Sequence, residues 1–163
     1  MIYDFKTSYS VAEIGEQQIA QWLRQKGYKV IDVSMDKQYQ AQDIDFICTK
    51  LDKSGRTVAH TYEVKVDTYT SGNFFFETVS NDKKHTAGCL QYSNADYLLY
   101  YFTREEEIYI FQMWEIRKYI MNNMHRFSTK TCQNEFYRSE GLIVPKTIIE
   151  SEIKPFKAKY GGV

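Results

Sequence analysis

The chain has 163 residues, with 21 Lys plus Arg set against 21 Asp plus Glu; that length suits one core, and zero net charge excludes a strongly basic, purely electrostatic nucleic-acid binder. Three widely spaced cysteines, Cys48, Cys89 and Cys132, form no Cys-x-x-Cys pair, which excludes a disulfide framework or a zinc site. Without a run of about 18 apolar residues or a basic-then-apolar N-terminal segment, no membrane partner is expected, and a soluble chain in the reducing cytoplasm is.

Residues 10–26 place Val11, Ile14, Ile19, Trp22 and Leu23 at helical spacing. Ser8 or Ser10 can cap this helix, Ser10 and Glu13 form a capping box, and Gly27 can end it. Glu13 and Glu16 then lie three residues apart on one surface. Residues 28–33 read as a first strand, and residues 34–42 as a polar loop over the site. Residues 42–48 and 61–66 alternate polar with apolar side chains, the period of half-buried strands. On such strands Asp43 and Asp45 share one face, and Glu63 and Lys65 share one face. Between them, residues 50–57 contain Ser54-Gly55 and read as a hairpin turn, which brings Asp45 beside Glu63.

Residues 68–73 are a turn by composition, and residues 74–79 are one more sheet strand, carrying Glu77. Residues 81–86 form a polar, basic loop. Residues 94–102 and 107–111 read as a buried strand and its hairpin partner, and residues 112–124 as a helix packed on the sheet. Residues 125–141 read as loop, residues 141–145 as a short edge strand ended by Pro145, residues 146–153 as a short helix, and residues 154–163 as a mobile basic tail. The 14 Tyr and 10 Phe fill strands and core, with base stacking as the alternative. His60, His85 and His125 are isolated and read as surface or strand histidines.

Two carboxylates a few Å apart repel unless a cation lies between them, and hard oxygen ligands suit Mg²⁺ or Mn²⁺. A lysine two residues beyond the second carboxylate adds a mobile positive charge for a phosphate or an attacking water. Together these groups can cut a phosphodiester. Taken singly, each also fits an amphipathic strand with exposed cross-strand pairs. Residues 1–103 hold 11 basic and 13 acidic residues, and residues 104–163 hold 10 and 8, a balance that permits an acidic site on a mildly basic surface.

Asp45 followed by Glu63-Val64-Lys65 resembles the signature of the PD-(D/E)xK nuclease superfamily, in its compact Holliday-junction-resolvase-like or phage-type form. Residues 14–28, with Gly15-Glu16 and Gly27-Tyr28, resemble the opening helix of many members, and Ala95-Asp96-Tyr97 resembles a late core strand. The resemblance implies an α/β fold with a restriction-endonuclease-like core, a central mixed β-sheet flanked by helices in α-β-β-β-α-β order. It covers one domain over residues 1–163, with a core at about 10–112 and a C-terminal helix and tail at 113–163. It further implies Mg²⁺ or Mn²⁺ held by Asp45, Glu63, the Val64 carbonyl and Glu16, with Lys65 at the attacking water and Glu77 as a fallback acidic ligand. Lys83, Lys84, His85 and Asn73 would approach DNA. Ile44 stands where the family often has Pro, and spacing alone leaves Asp43 and Asp45 both open as the ligand; Asp45 is preferred because the apolar run begins directly after it. The function implied is a metal-dependent endonuclease acting on DNA, on branched or recombination intermediates and as a homodimer. The alternative is a nuclease-fold binding or interaction module of phage or mobile-element origin that does not cut.

Overall fold

The structure, a computed structural model, describes residues 5–162, with side-chain surroundings from Ser10 onward. Helix α1 (Phe5–Gln25) leads to β1 (Lys29–Asp32), a one-turn helix α2 (Lys37–Gln40), and the hairpin of β2 (Phe46–Leu51) and β3 (Thr57–Asp67). Then follow β4 (Asn73–Asn81), β5 (Thr86–Ala87), α3 (Cys89–Tyr92), β6 (Tyr97–Phe102), β7 (Glu107–Gln112) and α4 (Met113–Asn123). The chain closes with β8 (Ser128–Gln133), β9 (Arg138–Pro145), α5 (Lys146–Glu152) and β10 (Phe156–Lys159). Six strands form a central sheet in the order β1-β2-β3-β6-β7-β10, and four form a second sheet, β5-β4-β9-β8. Among the described residues only β3 and β6 pair in parallel, so the central sheet is mixed and the fold is α/β.

Alternation along the strands explains the layers. On β6, Leu99 and Tyr101 face α1 and pack with Ile19, Trp22 and Leu23, joined by Phe46, Tyr62 and Val64. Leu98, Tyr100 and Phe102 face the other way and pack against Phe74 and Phe76 of β4, Leu142 and Val144 of β9, and helix α4. The central sheet is therefore covered by α1 on one face and by the second sheet on the other. A parallel pair needs a crossover, and the β3-to-β6 crossover itself carries β4, β5 and α3. Among buried aromatics, Tyr100 also ties the layers by hydrogen bonds: its hydroxyl donates to Asp67 Oδ2 (2.8 Å) and accepts from the Phe75 N–H (3.1 Å).

Several expectations are corrected. Helix α1 starts at Phe5, so Ser8 and Ser10 lie inside it rather than capping it, while Gly27 does follow its end, in the left-handed region at φ 87°. Residues 34–42 include α2. Residues 125–141 are not loop: they contain a 3-10 turn (Met124–Arg126), β8 and the start of β9. The strand at residues 141–145 is not an edge, since β9 lies between β4 and β8. The tail expected to be mobile supplies β10, paired along β7, where Lys157 reaches Glu150 (2.6 Å) and Glu107 (3.1 Å). Beside it the buried Lys146 ammonium meets Glu105 (2.5 Å) and Glu107 (2.9 Å) and sits 3.6 Å from the Phe102 ring centroid. Among the described residues, no helix is long and apolar enough to cross a membrane.

Candidate active site

The site begins where one strand outruns its neighbour. The β2–β3 register ends at Phe46↔Tyr62, yet β3 continues to Asp67. Backbone groups of β3 beyond Tyr62 therefore lack a strand on the β2 side and need other partners. Asp45 supplies one: its Oδ2 accepts from the Val64 N–H at 2.8 Å. The backbone of Asp45 is itself held, its N–H donating to the Tyr62 carbonyl (2.9 Å) and its carbonyl accepting from the Val33 N–H (2.8 Å). Because the N–H and C=O of one strand residue point to the same side, the Val64 carbonyl faces the Asp45 gap as well.

Alternation then sorts the side chains of β3. Tyr62 and Val64 enter the core beneath α1, so Glu63 and Lys65 point to the opposite face, toward β4. Glu63 is only 8% exposed. Burial first, then the neighbouring charges of Asp45 and Asp43, push its pKa well above the usual range. Burial also raises Asp45, against the lowering effect of the Val64 N–H. Asp43 is pushed up to about 6 by burial and by Asp45, and its Oδ2 is buried with no hydrogen-bond partner among the described residues. On α1, Glu16 is pushed up to about 7, by burial and then by the charges of Asp45, Asp32 and Glu13.

Lys65 is a different case. Burial works against its charge, but the Glu77 carboxylate on β4, 2.6 Å from Nζ, more than offsets this and its pKa is raised. A cavity of about 570 Å³ opens over these groups, with Asp43, Glu63 and Lys65 on one side and Glu77, His85 and Tyr92 on the other. Gly88 makes the second wall possible, since a Cβ there would stand 1.9 Å from the Glu77 carbonyl oxygen.

The structure thus brings Asp45, Glu63, Val64 and Lys65 together, with Glu16 electrostatically coupled to Asp45 from α1. Asp43 and Asp45 do not share a strand face: Asp43 precedes β2 in a left-handed turn at φ 55°, and reaches the cavity from there. His85 lines the cavity, Lys84 lines an adjoining one, and Lys83 is exposed and lines neither. Asn73 stands at the far end of β4, its amide bonded to the Ser71 carbonyl (3.0 Å). Glu77 is engaged with Lys65. Tyr92 was not legible as a site residue; its hydroxyl donates to the Ala41 carbonyl, a contact across 51 residues that no local pattern signals.

All the acidic donors offer oxygen, as a hard divalent cation requires, and Asp43 Oδ2 is a buried oxygen in need of a partner. Among the described residues, no three His, Cys, Asp or Glu side chains are gathered closely enough to hold an ion as they stand.

Fold and site define a mixed α/β protein with a cluster of buried carboxylates and one lysine at the floor of a cavity. No known protein family matches the chain, and no curated protein matches it. Among solved structures it is similar to a bacterial homing endonuclease, at 16% identity and a TM-score of 0.43, over 63% of this chain and 63% of that one. The chain thus spans less than two thirds of that protein's length, and a likeness at this level defines neither family nor activity.

Proposed function

We propose that this protein is a metal-dependent endonuclease of the PD-(D/E)xK type that hydrolyses DNA phosphodiester bonds. One arrangement carries this reading: Glu63 and Lys65 line the cavity from one strand face, and Asp45, held by the Val64 N–H, lies close enough to Glu63 to raise its pKa. Asp45, Glu63 and the Val64 carbonyl would hold Mg²⁺ or Mn²⁺, with Glu16 joining through water. Such ions usually keep several waters and take one or two carboxylates plus substrate phosphate, so a closed cage of three acids is not required. When bound, the ion polarises the scissile phosphate and acidifies a water. The Val64 N–H fixes one oxygen of Asp45, which leaves its other oxygen for the ion. Lys65, steered by Glu77, orients the attacking water and steadies charge on the phosphate. A chain with one such site would cut two strands as a homodimer, which suits branched or recombination intermediates.

The test is cleavage of labelled supercoiled plasmid, linear duplex, single strand and four-way junction, with Mg²⁺, Mn²⁺ or EDTA, beside Glu63→Gln and Lys65→Ala. Metal-dependent cutting lost in both variants is expected. The close Lys65–Glu77 ion pair favours one second reading, a module that binds nucleic acid without cutting, because the lysine is already engaged. Binding by folded wild-type protein without cleavage of any substrate would establish that reading instead.

A further inference from the structure

The site cavity does not stand alone. Lys65 also lines a second cavity of about 440 Å³, walled by Tyr69, Asn73 and Phe75 on one side and Lys130 of β8 on the other. Glu77, Ser80 and Thr86 also line a third, of about 510 Å³, which reaches Lys84, Asn134 and Tyr137. The site cavity adjoins the second at Lys65 and the third at Glu77, Ser80 and Thr86, a trench-like row with Asp43 and Glu63 in its middle cavity. Each flanking cavity pairs an aromatic ring with a cation. Tyr69 is 51% exposed, and the Lys130 ammonium stands 5.9 Å from its ring centroid. Tyr137 shares its cavity with Lys84.

Building on the nuclease reading, we infer that the trench takes single-stranded or locally unpaired nucleic acid, with bases stacked on Tyr69 and Tyr137 on either side of the scissile phosphate. Bases within a duplex are covered by their neighbours, so these rings could reach a base face only where the strand is unpaired. The charge balance points the same way. A chain of zero net charge gains little from neutralising a long run of duplex phosphates. Stacking needs no net charge and accepts any base, and Lys130 and Lys84 then supply local phosphate contacts.

The test measures binding of a labelled single-stranded oligonucleotide and of its duplex to the Glu63→Gln protein without divalent ions, and cleavage of both by the parent protein with Mg²⁺. Single strand is expected to bind at least about tenfold tighter than duplex. Tyr69→Ala and Tyr137→Ala should each weaken it about tenfold, while Tyr69→Phe and Tyr137→Phe retain it. The backbone N–H of Tyr69 that donates to Asp67 Oδ1 (2.7 Å) survives every such change, so the loop keeps its anchor. Lys130→Ala should lower the salt dependence of binding, and the tyrosine variants should not. Equal or tighter binding of duplex, alanine variants that bind like the parent, or no binding of either form would overturn the trench. Single strand bound through both tyrosines yet never cut would overturn the nuclease reading and leave the trench standing. Cleavage with both tyrosines dispensable would do the reverse.

Discussion

Asp45 both holds a backbone N–H and carries charge, and a substitution separates the two. In Asp45→Asn the amide oxygen still accepts from Val64, so the β3 edge stays satisfied, while the charge that would bind a cation is gone. Cleavage should fall about a hundredfold or more with the thermal midpoint at or above that of the parent, because Glu63 and Glu16 lose a repelling neighbour; an unfolded variant or unchanged cleavage would count against the assignment. The acidic cluster also sets a pH dependence. Glu16 and Asp43 are raised to about 7 and about 6 in the folded chain, above ordinary carboxyls near 4 in the unfolded chain. Between those values the folded state holds more protons than the unfolded, so stability is fully present below about pH 4 and is lost as pH rises toward 7. In metal-free buffer, the unfolding free energy from denaturant titrations should therefore fall between about pH 5 and pH 7.5, by about 1–3 kcal/mol in all. Glu16→Gln and Asp43→Asn should flatten that fall, and a flat profile in the parent protein would show that the carboxyls are not coupled.

Helix α1 can bring Glu16 toward Asp45 only because Gly15 lets it lie close to β3. A Cβ at Gly15 would stand 2.5 Å from Val66 Cγ1, and valine, branched at Cβ, has little rotamer freedom to give way. Gly15→Ala should cost about 1–3 kcal/mol of stability despite the better helix propensity of alanine, and adding Val66→Ala should recover part of that loss. Additive effects in the double mutant, measured by denaturant unfolding, would show that the contact does not govern the docking of α1. Elements with strong local patterns were legible from the sequence. Gly27 after an amphipathic run marks the end of α1, Ser54-Gly55 marks the β2–β3 turn, and the apolar run at residues 97–102 marks β6. Strands β8 and β10 were not, because nearly all their side chains are exposed. Backbone pairing to β9 and β7 holds them, and such pairing imposes no period on the side chains.

Across the molecule, the candidate site lies on a seam. The central sheet supplies Asp45, Glu63 and Lys65; the second sheet supplies Glu77; the segment after it supplies His85 and Tyr92. The seam is held by Phe74 and Phe76 packed on Tyr100 and Phe111, with Phe74 edge-on to Tyr100 at 4.9 Å. It is also held by the approach of α3 to β4 at Gly88. The atoms a Gly88 Cβ would meet are backbone atoms of Glu77 and Thr78, which cannot rotate away. Gly88→Ala should push the two walls apart, lowering the thermal midpoint by several degrees and reducing cleavage through a misplaced Lys65–Glu77 pair. A variant with normal stability and activity would show that the seam tolerates movement.

The sequence by itself determined the hairpin that sets Asp45 beside Glu63, the face shared by Glu63 and Lys65, and the buried strand β6, because strand alternation and turn chemistry act over a few residues. Tertiary structure alone decided that Asp43 reaches the cavity from a left-handed turn, that Glu77 holds Lys65, and that β9 crosses the chain to build a second sheet over the site. Those outcomes depend on contacts between residues far apart in the chain, where packing of Phe74, Tyr100 and Val144, rather than any local pattern, selects which surfaces meet.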